Sequence, residues 1–178
     1  MTTQLAGLDA GSVAVLGFVT AQRLAELVHA RRNEARLRAL GAREYGAAHY
    51  WWIVALHAAW LAGLWLLATG ASPAPVWLIA FFVLQGLRVW VLVTLGRRWT
   101  TRIMVLPGAP LISGGPYRFL SHPNYAVVAG EIFVLPMAYG MMSFALLFSL
   151  LNAGVLMVRI GEEDQALRGQ SVAPGQIK

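Results

Sequence analysis

The chain has 178 residues, 58% of them in the AVILMFWYC set and only 12% charged, with a formal charge of +6 and no cysteine. Counted with glycine and without tyrosine, about 65% is apolar, against 45–50% in an ordinary soluble domain that is also about 25% charged. That much apolar surface cannot be hidden in a soluble globule of this size, and disordered, collagen-like and disulfide-stapled chains fall on the same numbers. A small integral membrane protein remains.

The opening MTTQLAGLDAGS lacks lysine and arginine, so the first apolar stretch is expected to be retained and not cleaved as a signal peptide. A helix rises about 1.5 Å per residue, and a hydrocarbon core of about 30 Å takes about 20 residues. This predicts an all-α bundle in one membrane domain, residues 1–178, with helices over about 8–30, 50–69, 76–96, 123–138 and 141–160. The breaker-rich GASPAP (70–75) separates the second from the third. Pro136 and Gly140 mark the reversal between the fourth and fifth, and the fourth is short if it begins at Pro123. Of the 14 basic residues, 12 lie in Arg31–Arg43, Arg97–Arg118 and the stretch from Arg159 onward. Five crossings put all three segments on one side, which the positive-inside rule makes the cytoplasm, with the N-terminus outside. Arginines clustered between apolar segments, and not in one basic tail, argue against nucleic acid as a partner. Those of 31–43 suit membrane-lipid headgroups or a soluble partner, and Trp51, Trp52 and Trp99 suit aromatic belts.

Two segments are too long and specific to be connectors: the loop through 97–125 and the tail 159–168. In the loop, Pro123 sits where a helix begins, with Ser121 or His122 as its cap. Tyr117, Arg118, His122 and Tyr125 then gather at one helix entrance, whose unpaired N–H groups suit an anion. In the tail, Arg159 and Glu163 share a helix face, and Asn152 lies on that face seven residues earlier. Spacing alone equally allows Arg159 to be an interfacial anchor with a solvated salt bridge.

GPYRFLSHPNY (115–125), followed by RIGEEDQAL (159–167), resembles the isoprenylcysteine carboxyl methyltransferase family. The resemblance covers roughly residues 76–168 and implies a membrane methyltransferase of the bacterial inner membrane that uses S-adenosylmethionine. The absence of GxGxxG and of strand–helix alternation agrees with a site unlike the soluble Rossmann type. Carried over by position, Gly115, Pro116, Tyr117, Arg118, His122, Pro123, Tyr125 and Glu163 hold the methyl donor, while Arg159 and Glu163 act at the reaction centre. The family's arginine before the histidine is Ser121 here, so Arg118 or Arg102 is expected to substitute, and the second acid is Asp164, one methylene shorter. The N-terminal part, 21–50, is similar to a bacterial subgroup that accompanies type III polyketide synthases and O-methylates alkylpyrones or alkylated phenols. This implies a lipophilic acceptor and a soluble polyketide synthase as partner.

Arg88, Glu131 and Asn152, polar groups inside apolar helices, are candidate acceptor-binding residues. The alternative for Glu131 is an ion pair with Arg88 or Arg23. His57 has no second ligand at i+4 and is no metal site. Two competing readings stay open: a phospholipid N-methyltransferase, and a non-catalytic transporter or assembly subunit using Arg23, Glu26, Arg88 and Glu131 as a polar path.

Overall fold

The computed structural model describes residues 7–70 and 72–171, with side chains as far as Arg168. Five helices carry it: α1 (Ala10–Ala39), α2 (Tyr50–Leu67), α3 (Pro75–Leu95), α4 (Pro123–Ala138) and α5 (Met142–Ser171). The expected all-α membrane bundle is present. Four of these helices (α1, α2, α3 and α5) are long and apolar enough to cross a bilayer. The 16 residues of α4 rise only about 24 Å.

Two helices outrun their expected ends, because hydropathy marks where a helix leaves lipid and not where it stops. α1 continues through HARRNEARLRA, which is rich in alanine and arginine, both strong helix formers. It ends only where Gly41 turns at φ +89°. α5 likewise runs on through the acidic GEED segment to Ser171. Two strands appear that the apolar periodicity did not indicate. β1 (Arg43–Tyr45) and β2 (Ile103–Val105) pair antiparallel, Glu44 opposite Met104, and tie the first basic segment to the second.

The turns sort cleanly into two ends. At one, Gly70 N–H donates to Gly7 O (2.8 Å), Ser72 Oγ to Asp9 Oδ2 (2.5 Å) and Ala74 N–H to Ala138 O (2.7 Å). At the other, Asn33 Nδ2 donates to Trp99 O (2.8 Å) and Arg159 Nη2 to Thr101 O (2.9 Å). The three arginine-bearing segments therefore collect at one end of the bundle, as five alternating helices require. The short α4 runs antiparallel to α3 from the level of Ala74, and its first turn shares a hollow with Leu87, Trp90 and Val91. It thus begins about a turn short of the end of α3, which sinks its N-terminus below that end.

The main core joins Leu16, Val19, Trp60, Leu64, Phe81, Ile132 and Leu135, with Trp60 Nε1 donating to Ile132 O. Large apolar residues such as Phe18, Phe82, Val93 and Leu150 point outward, as suits a bundle whose solvent is lipid. Trp51 and Trp52 are exposed as belt residues should be. Trp99 is not: it is buried and stacked on His29, because Asn33 pins its carbonyl against α1. α2 packs closely on α5 at Gly63, where an added Cβ would lie 2.5 Å from the Phe144 ring. Gly63→Val is expected to force α2 from α5 and to destabilise the bundle by about 1–3 kcal/mol, read as a lower melting temperature in detergent.

Candidate active site

Residues 115–118 form one 3-10 turn, opened by Gly115 at φ +56°. A side chain there would collide with Thr94 Oγ1 and come within 3.2 Å of Trp90 Nε1, so only glycine lets this turn lie on α3. Pro116 is buried against the turn, and burial, with the Glu163 charge, pushes the Tyr117 phenol up to about 12. Tyr117 therefore stays neutral at physiological pH.

His122 occupies the N-cap position of α4, but its side chain makes no capping bond, contrary to the expected role. The ring instead faces α5. Its Nδ1 lies 3.6 Å from Glu163 Oε2 and its Nε2 3.3 Å from Asp164 Oδ1. It stacks on Tyr125 with centroids 5.4 Å apart, and the Tyr125 hydroxyl donates to Glu163 Oε2 at 2.6 Å. Arg159, a residue only 7% exposed, sits 5.8 Å above the Tyr125 ring, and its Nε has no hydrogen-bond partner among the described residues. The anions that gather at the N-terminal end of α4 are thus the chain's own carboxylates, where the helix dipole favours them.

The wall behind Arg159 was not legible from motifs. Thr101, whose carbonyl accepts from Arg159, is itself held by Glu34 Oε1 (3.2 Å) and the Tyr50 hydroxyl (3.2 Å). Arg102 pairs with Glu44 and Glu34 and lies 4.0 Å over the Tyr50 ring. Burial disfavours both charges, yet the hydrogen bonds and attraction between Arg102 and Glu44 raise the one and lower the other. Arg102 is therefore committed to this tie and does not replace the missing arginine at 121. Arg118 is exposed and makes no ion pair among the described residues.

Two of the three acceptor-binding expectations lie elsewhere. Glu131 is fully buried and accepts from Gln85 Nε2 (2.8 Å), Arg88 Nε (2.7 Å) and Arg23 Nη2 (2.5 Å), while Arg88 Nη1 also reaches Glu26 Oε2 (3.2 Å). Two arginines and two glutamates balance across α1, α3 and α4. The structure closes Arg88 and Glu131 into this network and does not bring them to His122, nine residues and about 13 Å of helix from Glu131. Asn152 is buried on the same face of α5 as Arg159.

Two apolar hollows flank the polar cluster without being lined by it. One, about 230 Å³, lies between α3 and α4 beside Pro116 and Pro123. The other, about 410 Å³, lies between α2 and α5 along Leu150, Gly154 and Val158, with His49 at its rim.

A helical membrane bundle with one acidic, aromatic cluster at its basic end is thus the class that fold and site define. Residues 77–169 match the family model described as Isoprenylcysteine carboxyl methyltransferase (ICMT) family, a span that contains both converging segments. The chain is also 40% identical over 163 residues to the uncharacterized protein YpbQ of Bacillus subtilis (strain 168), covering 89% of this chain and 97% of the relative. No solved structure matches. The chain belongs to the isoprenylcysteine carboxyl methyltransferase family and is a membrane methyltransferase.

Proposed function

We propose that this chain is an S-adenosylmethionine-dependent O-methyltransferase acting on a lipophilic acceptor at the membrane: a carboxylate, an alkylpyrone enol or an alkylphenol. The single observation carrying this reading is the meeting of His122 and Tyr125 with Glu163 and Asp164, about 40 residues apart in sequence, beside a buried arginine. The groups suit the donor. Partly exposed carboxylates can take an ammonium and ribose hydroxyls, and stacked rings and the neutral Tyr117 offer flat surfaces.

Bound there, the donor supplies an electrophilic methyl that an ionised acceptor oxygen can take directly while the sulfur leaves as a neutral thioether. The chain's own part is alignment and exclusion of water. Tyr125, fixed by Glu163, and His122, fixed between two acids, hold the rim. Arg159, backed by Thr101, presents an N–H that holds an acceptor oxygen without taking its proton. A carboxylate or acidic enol is already ionised near neutral pH and needs no base, whereas a phenol with a pKa near 10 does. For that acceptor, His122 or Glu163 takes the proton only where it is free of the donor. Placing the site below the end of α3 sets it where a polar donor arrives from water and a greasy acceptor from the bilayer. That end faces the cytoplasm in this reading, with the exposed Arg31, Arg32 and Arg36 of α1 serving lipid headgroups or a soluble polyketide synthase.

Purified protein given methyl-labelled donor and a lipid extract is expected to place label in a base-labile ester or in an enol or phenol ether. Label in an amine instead supports phospholipid N-methylation, and no transfer contradicts both. Gly115→Ala is expected to cost about 1–3 kcal/mol of backbone strain and to weaken S-adenosylhomocysteine binding, measured by calorimetric titration.

A further inference from the structure

Arg159 is buried, and among the described residues no acid pairs with it. What holds it is a backbone carbonyl, Nη2 donating to Thr101 O at 2.9 Å. A carbonyl directs a guanidinium without neutralising it, so the charge stays available to an anionic oxygen. The aim of Arg159 therefore depends on where one peptide group lies. That peptide joins Thr101 to Arg102, in a stretch that is neither helix nor strand. Two side chains from the N-terminal part grip it, and each touches both residues that flank it. Glu34 accepts from the Thr101 hydroxyl on Oε1 (3.2 Å) and faces Arg102 Nε with Oε2 (3.6 Å). Tyr50 brings its hydroxyl to Thr101 Oγ1 (3.2 Å) and its ring to the Arg102 guanidinium, 4.0 Å away. Since the one hydroxyl proton of Thr101 goes to Glu34, the Tyr50 hydroxyl is the donor in that contact. Asn33, beside Glu34 on α1, holds the approach to the peptide through Trp99 O (2.8 Å) and Gly96 O (3.2 Å).

We infer that Glu34 and Tyr50 are positioning residues for methyl transfer, clamping the Thr101–Arg102 peptide so that its carbonyl aims Arg159 at the acceptor oxygen. The inference rests on the methyltransferase reading above. It gives a role in that reaction to residues outside 77–169, the span matched to the family. Glu34 is buried with Ala30, Asn33 and Leu37 on one face of α1, in the turns beyond the expected end of its apolar stretch. A buried carboxylate is costly unless it is paired, and both oxygens of this one are engaged with the two residues of a single peptide unit. Arg102 is anchored a second time by Glu44 of β1. Releasing the clamp lets the peptide turn, and a displacement of about 1 Å at an aligning group can slow a reaction about 100-fold. Binding of the donor falls to the His122–Glu163 cluster and does not depend on the clamp.

The test uses Glu34→Leu, Thr101→Val and Thr101→Ser in the full chain, with three readouts on each preparation. These are label transfer from methyl-labelled donor to a limiting lipid extract, S-adenosylhomocysteine affinity, and the rate at which phenylglyoxal modifies Arg159, mapped by peptide mass spectrometry. Glu34→Leu and Thr101→Val are each expected to slow transfer by at least about tenfold and to speed modification of Arg159, while binding S-adenosylhomocysteine as the wild type does. Thr101→Ser, which keeps the hydroxyl, should match the wild type in all three. With Arg159→Leu already in place, Glu34→Leu should slow transfer by no more than about twofold further, because the group it positions is gone. A merely structural role would instead cost the same factor in both backgrounds. Should Glu34→Leu fail to fold, Glu34→Gln and Tyr50→Phe, each keeping part of the clamp, give the same readouts with smaller losses. Undiminished transfer, unchanged reactivity of Arg159, a parallel loss of S-adenosylhomocysteine binding, or an equal loss in the Arg159→Leu background each overturns the inference and leaves the donor site standing. A wild-type protein that binds no S-adenosylhomocysteine or transfers no label overturns the methyltransferase reading itself, and the inference with it.

Discussion

Glu163→Ala is expected to reduce methyl transfer at least about 100-fold, the largest single loss among the cluster residues. One carboxylate oxygen of Glu163 serves two partners, accepting from the Tyr125 hydroxyl at 2.6 Å and facing His122 Nδ1 at 3.6 Å. Its removal leaves a phenol without an acceptor and a ring held from one side only. The loss of such a preorganised charged group at a reacting centre typically costs about 3–4 kcal/mol. Glu163→Gln keeps the size and an acceptor oxygen but not the charge, and should fall between. Tyr125→Phe deletes one hydrogen bond and keeps the stacked ring, so its loss should be nearer 1–2 kcal/mol. Asp164→Ala should be the mildest of the four, because its side chain is 44% exposed, against 31% for Glu163. The order of these variants in kcat/KM, with S-adenosylhomocysteine affinity measured in parallel, is the check. An Asp164 effect larger than that of Glu163 would contradict the assignment.

Glu131→Ala is expected to destabilise the bundle more than any cluster substitution, by about 3–5 kcal/mol, seen as a lower melting temperature in detergent. The reason is what it leaves behind: Arg88, 2% exposed, and Arg23 would share Glu26 as their only acid among the described residues. Taking out both halves of the central pair, Glu131→Leu with Arg88→Met, should recover most of the loss, since paired buried charges contribute little beyond a well-packed apolar pair while an orphaned one is costly. A double variant no more stable than Glu131→Ala would show that the network does more than balance charge. A raised acceptor KM in a double variant of recovered stability would return Arg88 and Glu131 to the acceptor site.

Much of this arrangement is legible in the sequence because it follows from local rules. Length and breakers place α4 at Pro123–Ala138, where it is found, and the grouping of arginines implies the common end. The spacings of seven and four residues among Asn152, Arg159 and Glu163 fix their shared face before any tertiary contact is known. What stays hidden depends on partners distant in sequence. Helix α1 reaches Ala39 because its solvent-exposed turns are intrinsically helical, which hydropathy does not register. The β1–β2 pair and the Thr101–Glu34–Tyr50 support of Arg159 join residues about 50 to 70 positions apart with no shared motif. The pairing of Glu131 with Arg88 and Arg23 was one of two readings that composition left open, and three-dimensional packing decides it.

The claim on which the account turns is that the segment around His122 and the segment around Glu163 build one donor site. The most direct measurement is a double-mutant cycle on S-adenosylhomocysteine binding by the purified protein, using His122→Ala, Glu163→Ala and both together. The account predicts saturable binding to the wild type and a coupling of at least about 1 kcal/mol between the two positions, the double variant losing clearly less than the sum of the singles. Additive losses within about 0.5 kcal/mol, or no saturable binding, would contradict it.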